Sequence, residues 1–401
     1  MTRTELLNEL MMKKFEDIYN RYSNKTLSVE EASELLHCSK RTFYRKINCY
    51  ESEGILGILD KRLNNSPPNK ISVDRVQEIL TLRQKYYIDY NVMHFHEELI
   101  SYHKLQESYS SLRRILLMHG MMKIGRKPRR KHRKKRERRP MIGMMIHQDG
   151  STHNWLPCSR EKHDLIVTMD DATSEVYSAF LCNEEGTQSS FRGVIDVIES
   201  KGLFSTLYVD RGSHYGHTKE SGQGIDLNNP TQFSRALKQL GIHIIYSKCP
   251  QGRGRSERMF STWQGRLPQE LRKNNITTIE GANKYIKNVF LAKVNKLVMK
   301  KAKESDSGFI PYVGRNIKEI LSIQEERVVN NDNTIHYKNK ILQLPEDKHR
   351  QHYVKAKVMV HQYDDGTLDV FYGARKLATF LEKESSKEKE SSKEKELRKA
   401  A

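Results

Sequence analysis

Apolar residues recur along this chain with two different periods, and the changes of period divide it into parts. From the N-terminus to about residue 122 the spacing is helical. Leu6, Leu7, Leu10, Met11 and Phe15 share one side of a first predicted helix. The stretch 28–54, SVEEASELLHCSKRTFYRKINCYESEG, then reads as two helices. Ser28 with Glu31 forms a capping box for the first, and His37, Cys38 and Ser39 make a short turn. The second helix carries Lys40, Arg41, Thr42, Tyr44, Arg45 and Lys46. After NNSPPN at 64–69, a linker by composition, three more helical runs fill 71–122, the last capped by Ser108 or Ser110 with Arg113 and Arg114 beside its apolar residues.

From residue 141 the pattern changes to short apolar runs alternating with helical ones. Strands are expected at 141–149, 163–170, 175–182, 205–210 and 242–247, and helices at 188–201, 231–240 and 255–272, with a kink at Pro268. The turn DDATSE makes the second and third strands antiparallel neighbours, and Gly202 and Gly241 stop their helices. Thr277 and Glu280 cap a long helix over 278–302. Residues 325–380 alternate apolar and polar positions between Asn, Asp and Gly turns, which predicts a small antiparallel barrel. The tail repeats ESSKEK and is low-complexity.

Helix, tight turn and basic helix is the pattern of a helix-turn-helix, whose second helix enters the major groove. The alternative is a small bundle with a solvated basic face. The expected organisation is multidomain: a helix-turn-helix domain at 1–63, a second such module at 71–122, a basic linker at 123–140, an α/β domain at 141–302, the barrel at 325–380 and a tail at 382–401.

Charge sharpens this picture. The 401 residues carry a net charge of +20, with a pI near 9.5, which points to a polyanionic partner. Eleven of the fourteen residues 126–139 are Lys or Arg, among them Arg129, Arg130 and Arg133. So dense a run repels itself and orders on a polyanion. It is read as a phosphate clamp, against a solvated linker or a targeting signal. Ribosome-associated proteins are basic too, so charge alone does not decide the class.

The candidate chemistry lies in three acids. Asp149 ends the apolar run MIGMMIHQD, and Asp210 ends LFSTLYVD. Glu257 lies in QGRGRSERMFSTW, between Arg255 and Arg258. If a helix opens near Ser256, then Phe260, Trp263, Leu267 and Leu271 form its buried stripe and Glu257 lies on the margin, roughly 75° from the centre. Two strand-end aspartates and a helix-borne glutamate offer three hard oxygen ligands, a set that suits Mg²⁺. Asp170 and Asp171 compete for the first position, but they fall in a hairpin turn, where Asp is common for local reasons. Asp171 could steady the site from behind. His147, His153 and His214 flank the acids and are read as orienting water or phosphate, or as packing. His94 and His96 lack a Cys pair at zinc-ligand spacing.

The segments HQDGSTHNWL (147–156), DDAT (170–173), LYVDRGSHYG (207–216), TQFSRALKQLGI (231–242) and QGRGRSERMFSTWQGRLPQELR (251–272) resemble, in that order, the DDE transposase and integrase superfamily. They are most similar to insertion-sequence transposases of the ISNCY type. The resemblance implies an RNase H-like catalytic domain over 141–302, with Asp149, Asp210 and Glu257 as catalytic, metal-binding acids holding two Mg²⁺ ions, for which Mn²⁺ can substitute. The 47 residues from the second acid to the third exceed the retroviral integrase spacing, an excess assigned to a loop at 213–230.

The implied activity is transposition. Metal-dependent hydrolysis frees a 3′-hydroxyl at the element's end, and that hydroxyl then attacks target DNA. Arg253, Arg255 and Arg258 are expected along the substrate backbone, with structural salt bridges as the alternative. Arg41, Tyr44, Arg45 and Arg113 are expected to contact double-stranded DNA carrying the terminal inverted repeats. Joining two ends implies a dimer or larger assembly. A DNA-binding regulator without catalysis and a nuclease that cuts without joining are the rival readings. Five cysteines without CxxC pairing point to a reducing compartment. With no apolar leader and no 18-residue apolar run, the expectation is a soluble, cytoplasmic protein on a bacterial nucleoid.

Overall fold

The computed structural model describes residues 3–58, 71–123, 136–157, 159–217, 225–226, 228–247, 250–346, 348 and 350–381. It divides into two units, Met1–Tyr86 and Tyr87–Ala401. The first contains α1 (Arg3–Ser23), α2 (Val29–Leu35), α3 (Lys40–Glu53) and α4 (Val73–Tyr86). Ser28 and Glu31 form the expected capping box on α2, with the Ser28 N–H donating to Glu31 Oε2 at 2.8 Å. The chain turns through Leu36–Ser39, where His37 takes φ 51°, and Ser39 caps α3. Phe15, Ile18, Ala32, Leu36, Phe43 and Ile47 bury together. That inward set leaves Arg41, Tyr44 and Arg45 exposed along α3.

The second unit opens with α5 (Val92–Ser101) and α6 (Tyr109–Met118), capped by Asn91 and Ser108. Arg113 and Arg114 are exposed on α6 while Leu112, Ile115 and Leu116 are buried. A five-stranded sheet follows, built from β1 (Ile146–His153), β2 (His163–Asp170), β3 (Val176–Cys182), β4 (Thr206–Val209) and β5 (His243–Tyr246). Its order is β3-β2-β1-β4-β5. The β1–β2 and β2–β3 pairs are antiparallel, and the β1–β4 and β4–β5 pairs are parallel.

Two cores form against this sheet. One holds Ile146 and Leu207 with Phe191, Val194 and Ile198 of α7 (Thr187–Lys201) and Phe233 and Leu237 of α8 (Gln232–Gln239). The other holds Leu165, Val167, Met169 and Leu181 with residues from 259 to 294. There the expected single helix at 255–272 is two, α9 (Gly254–Gln264) and α10 (Leu267–Lys273), because the chain breaks at Gly265 and Arg266, ahead of Pro268 in the first turn of α10. The long helix that follows comprises α11 (Ile279–Tyr285), a π-helical turn at Ile286–Phe290 and α12 (Leu291–Val298). Thr278 caps it, one residue on from the expected Thr277.

The C-terminal part corrects an expectation. After the short α13 (Ile317–Ile320) come β6 (Ile323–Val328), β7 (Thr334–Tyr337), β8 (Lys340–Gln343), β9 (Lys357–Gln362), β10 (Leu368–Tyr372) and β11 (Arg375–Phe380). They form a four-stranded sheet, β11-β10-β9-β6, and a separate hairpin, β7-β8. Among the described residues no closed barrel forms. β6 and β11 remain the sheet's two edges, and the hairpin completes the core by supplying Ile335, Tyr337 and Leu342 from outside the sheet. This sheet is tied to the central one: Arg235 of α8 donates to the carbonyls of Ile320 and Ser322, and Gln188 of α7 to that of Gln362. No described helix is long and apolar enough to cross a membrane.

Candidate active site

The site exists because β1 outruns β4. The two strands pair at Ile146–Leu207 and His147–Tyr208. β1 then continues to His153, laddered to β2 alone. Carrying the register two residues further sets Asp149 level with Asp210, immediately past the end of β4. Asp149 thus lies midway along β1 and not at its end as the sequence suggested, since the residues after it still pair with β2.

The third acid arrives on α9, which begins after a 3₁₀ turn at Pro250–Arg253. Gly252 lets that turn pass close to Tyr208, since a Cβ there would stand 2.3 Å from the Tyr208 hydroxyl. Met259, Phe260 and Trp263 bury one face of α9. Gln264 fastens its far end by donating to Ser151 Oγ of β1 at 3.1 Å. Glu257 is left exposed on the first turn, where the helix dipole favours a carboxylate. Asp149, Asp210 and Glu257 together line one cleft of about 710 Å³.

A guanidinium already spans the two aspartates. Arg253 Nε donates to Asp149 Oδ2 at 3.1 Å, its Nη2 pairs with Asp149 Oδ1, and its Nη1 donates to Asp210 Oδ2 at 3.1 Å. Asp210 Oδ1 in turn accepts the N–H of Gly212 at 2.8 Å. Burial pushes the Arg253 pKa down, while the charge of Glu257 works in the other direction.

Comparison with known proteins gives this geometry a context. No protein-family model matches the chain. A Sinorhizobium fredii protein named as the transposase y4bF is 25% identical over 366 residues, covering 90% of this chain and 79% of its own length. The transposase for insertion sequence IS1202 of Streptococcus pneumoniae is 25% identical over 370 residues, covering 83% of this chain and 78% of its own length. Both of these relatives carry the name transposase. Among solved structures, the chain is similar to a chain of the simian T-cell lymphotropic virus intasome in complex with PP2A regulatory subunit B56 gamma. That match has a TM-score of 0.35 and 16% identity, and covers 68% of this chain and 91% of the other. The HTLV-2 integrase catalytic core domain in complex with magnesium matches with a TM-score of 0.28 and 14% identity, covering 37% and 88%.

Near the acids of this cleft lies a buried hub centred on Asp171, whose side chain is fully enclosed. Its Oδ1 is 2.7 Å from His147 Nε2 and 2.5 Å from Arg136 Nη2, and also pairs with Arg255 Nη1. Its Oδ2 accepts the N–H of Arg139 at 2.8 Å. Burial alone would raise this carboxyl, but the hydrogen bonds from His147 and Arg139 and the charge of Arg255 hold it well below the usual carboxylate range. Burial also lowers the pKa of His147, against the pull of Asp171. Asp170 serves its turn instead, accepting from the N–H groups of Gly143 and Thr173.

Of the three arginines expected along a substrate, Arg253 and Arg255 are therefore paired to acids, and Arg258 is exposed. Arg129, Arg130 and Arg133 lie outside the described residues. His153 packs edge-on against Trp155. His214 Nε2 lies 3.5 Å from Glu185 Oε1. His94 and His96 go to different partners, Glu270 and the carbonyl of Glu107.

Two neighbours of the site escaped the sequence reading. Arg136 is one: in the basic run nothing distinguishes it from ten similar charges, yet it reaches Asp171. Glu185 is the other. Its carboxylate lies over Gly150, where a Cβ would stand 2.1 Å from Oε2. The glycine following Asp149 was the available signal of something pressing on that strand.

Proposed function

We propose that the chain is a DDE-type insertion-sequence transposase, of the ISNCY kind, with an RNase H-like core in which Asp149, Asp210 and Glu257 hold two Mg²⁺ ions, or Mn²⁺ in their place. The observation that carries this reading is the convergence of three carboxylates, from two strands and a helix, on one open cleft. The donor set fits the ions, since hard carboxylate oxygens at a solvent-reached cleft are what Mg²⁺ takes while keeping several waters. A cation between the aspartates is compatible with the cleft, because Arg253 already presents one there. When bound, the metal activates the attacking oxygen and offsets charge on the phosphate.

The chain's own part is positioning. Asp149 sits on a strand laddered to β2, Asp210 is steadied by the Gly212 N–H, and Glu257 rides a helix seated by Trp263. Water attacks first, to free a 3′-hydroxyl at the element's end, and that hydroxyl then attacks target DNA, so no side-chain nucleophile is needed. Arg258, on the same turn as Glu257, faces the DNA backbone, joined by Arg253 once it leaves the acids. Arg255 contributes by fixing α9 to Asp171. In the first unit, Arg41, Tyr44 and Arg45 occupy the exposed face of α3, as a recognition helix in a helix-turn-helix requires. Arg113, with the basic-run residues Arg129, Arg130 and Arg133, adds phosphate contacts, and two chains at least assemble on two element ends.

The test is a cleavage and strand-transfer assay with Mg²⁺ on duplexes carrying the repeats that flank the gene. Wild type cleaves and joins, whereas Glu257→Gln and Asp149→Asn lose at least about a hundredfold in rate, the worth of several kcal/mol of charge stabilisation. Equal rates in wild type and Glu257→Gln remove the catalytic role. Cutting without joining favours a nuclease, and binding alone favours a regulator.

A further inference from the structure

We propose that Arg253 is a resident cation of the acid cleft, which a divalent metal must displace and which a DNA phosphate receives, so that metal entry and DNA binding are coupled through this one side chain. The inference rests on the acid-cleft reading above and assigns Arg253 a role that reading does not require.

All four carboxylate oxygens of Asp149 and Asp210 already have a donor. Arg253 serves three of them and the Gly212 N–H the fourth. A metal ion seeking these oxygens therefore competes with the guanidinium for the same lone pairs. A planar fork matched to a carboxylate is a strong competitor. It is also an incomplete one, because Arg253 and Arg211, the two arginines lining the cleft, bring two positive charges against three acids.

Arg253 is equipped to leave. Its side chain is 29% exposed, so a path to solvent exists without unfolding anything. It stands at the junction of the 3₁₀ turn and α9, beside Gly254, where a Cβ would meet only open space. Glu257 follows four residues later, one helical turn on, so the departing guanidinium stays at the mouth of the cleft. A phosphate there accepts the same fork that the aspartates give up. The exchange is reciprocal: metal takes the carboxylates, phosphate takes the arginine, and each step favours the other.

The experiment is a titration of the full chain with Mn²⁺ alone, with free ion read by electron paramagnetic resonance, repeated with a short duplex of arbitrary sequence. Without DNA, Arg253→Gln binds Mn²⁺ about tenfold more tightly than wild type, the worth of a lost charge-assisted hydrogen bond. Arg253→Lys, which keeps the charge but not the fork, falls between them, and it carries the test if the Gln variant does not fold. The duplex tightens Mn²⁺ binding to wild type and does so far less for Arg253→Gln. Unchanged or weaker Mn²⁺ binding in these variants overturns the proposal, because Arg253 would then hold the acids for the metal and not against it. Asp149→Asn separates the two ideas. If it binds Mn²⁺ as wild type does, the acid cleft itself is misread, whereas if it loses the ion and the arginine variants gain nothing, only the exchange fails.

Discussion

Residues 251–273 carry two acid clusters that share a vocabulary and differ in every physical respect. At the start of α9, Glu257 joins Asp149 and Asp210 in an open cleft where Arg253 supplies the cation that spans the aspartates. One helix later, Glu270 of α10 joins Glu98 and His94 of α5, and all three are buried. His94 Nε2 lies 3.2 Å from Glu270 Oε1, the Lys293 ammonium 3.0 Å from Oε2, and the Tyr285 hydroxyl donates to Glu270 as well. Lys273 holds Glu98 at 2.5 Å. The ligand atoms of this second cluster lie within 4.8 Å of one another and could in principle meet on an ion. Each acid already has its own ammonium, however, and a buried site so neutralised offers a divalent ion little. The difference between the clusters is the ratio of acids to cations and access to water, not the presence of carboxylates.

The second cluster acts as a clamp. Around it Arg266 pairs with Glu97, Arg272 with Asp89, and the Asn91 amide donates to the Gly265 carbonyl. These contacts fix α5 to the helix that continues from the third acid. Removing one partner of a buried ion pair strands the others, so Glu270→Ala should lower unfolding free energy by about 3–5 kcal/mol. Urea denaturation measures it. The same variant should titrate Mn²⁺ like wild type. A loss of Mn²⁺ binding with intact stability would reverse the assignment of the two clusters.

Acid should find the clamp before it finds the fold's apolar cores. Burial works to raise the Glu270 carboxyl, but hydrogen bonds from His94, Tyr285 and Lys293 bring it down from 4.5 to about 2. A carboxyl depressed on folding adds stability that is complete above the unfolded value and is lost as pH falls through the folded one. The contribution is therefore full above pH 4.5 and disappears towards pH 2, and the depression is worth about 3 kcal/mol. Stability measured by denaturant between pH 6 and 2 should show this decline, and Glu270→Gln should remove that part of it. An identical pH profile in the variant would mean that the pairing contributes nothing.

How much of this was legible beforehand follows from what each part depends on. Strand β2 and the hairpin into β3 depend on local pattern and turn residues, and they appear where the spacing set them. The three candidate acids stood out through local marks, an Asp closing an apolar run and a Glu beside an apolar stripe, and the structure sets them along one cleft. The position of Asp149 within β1 was not legible, because it depends on how far β2 runs beside it, a property of another strand. The barrel failed for the same reason. Alternation announces strands but says nothing about whether β6 and β11 meet. Nor could the sequence choose between substrate and salt bridge for Arg253 and Arg255, since their partners Asp149, Asp210 and Asp171 come from distant positions.

The smallest expected effect tests whether the open cleft depends on the hub behind it. Asp171 links the end of the basic run, through Arg136 and Arg139, to Arg255 near the start of α9. Arg255 is two residues from Glu257, so a looser Arg255 lets the third acid wander while Asp149 and Asp210 stay on their strands. Asp171→Asn keeps the shape and removes the charge that holds Arg255. We expect Mn²⁺ affinity to fall about 10- to 100-fold, the usual consequence of losing support behind a ligand. Some stability will be lost too, so affinity is compared at a temperature where both proteins are fully folded by circular dichroism. Arg255→Lys retains charge opposite Asp171 and should recover part of the affinity, whereas Arg255→Ala should not. Were Asp171→Asn to bind Mn²⁺ as tightly as wild type, the hub would be a fold element alone, and the position of Glu257 would have to come from the packing of Met259, Phe260 and Trp263.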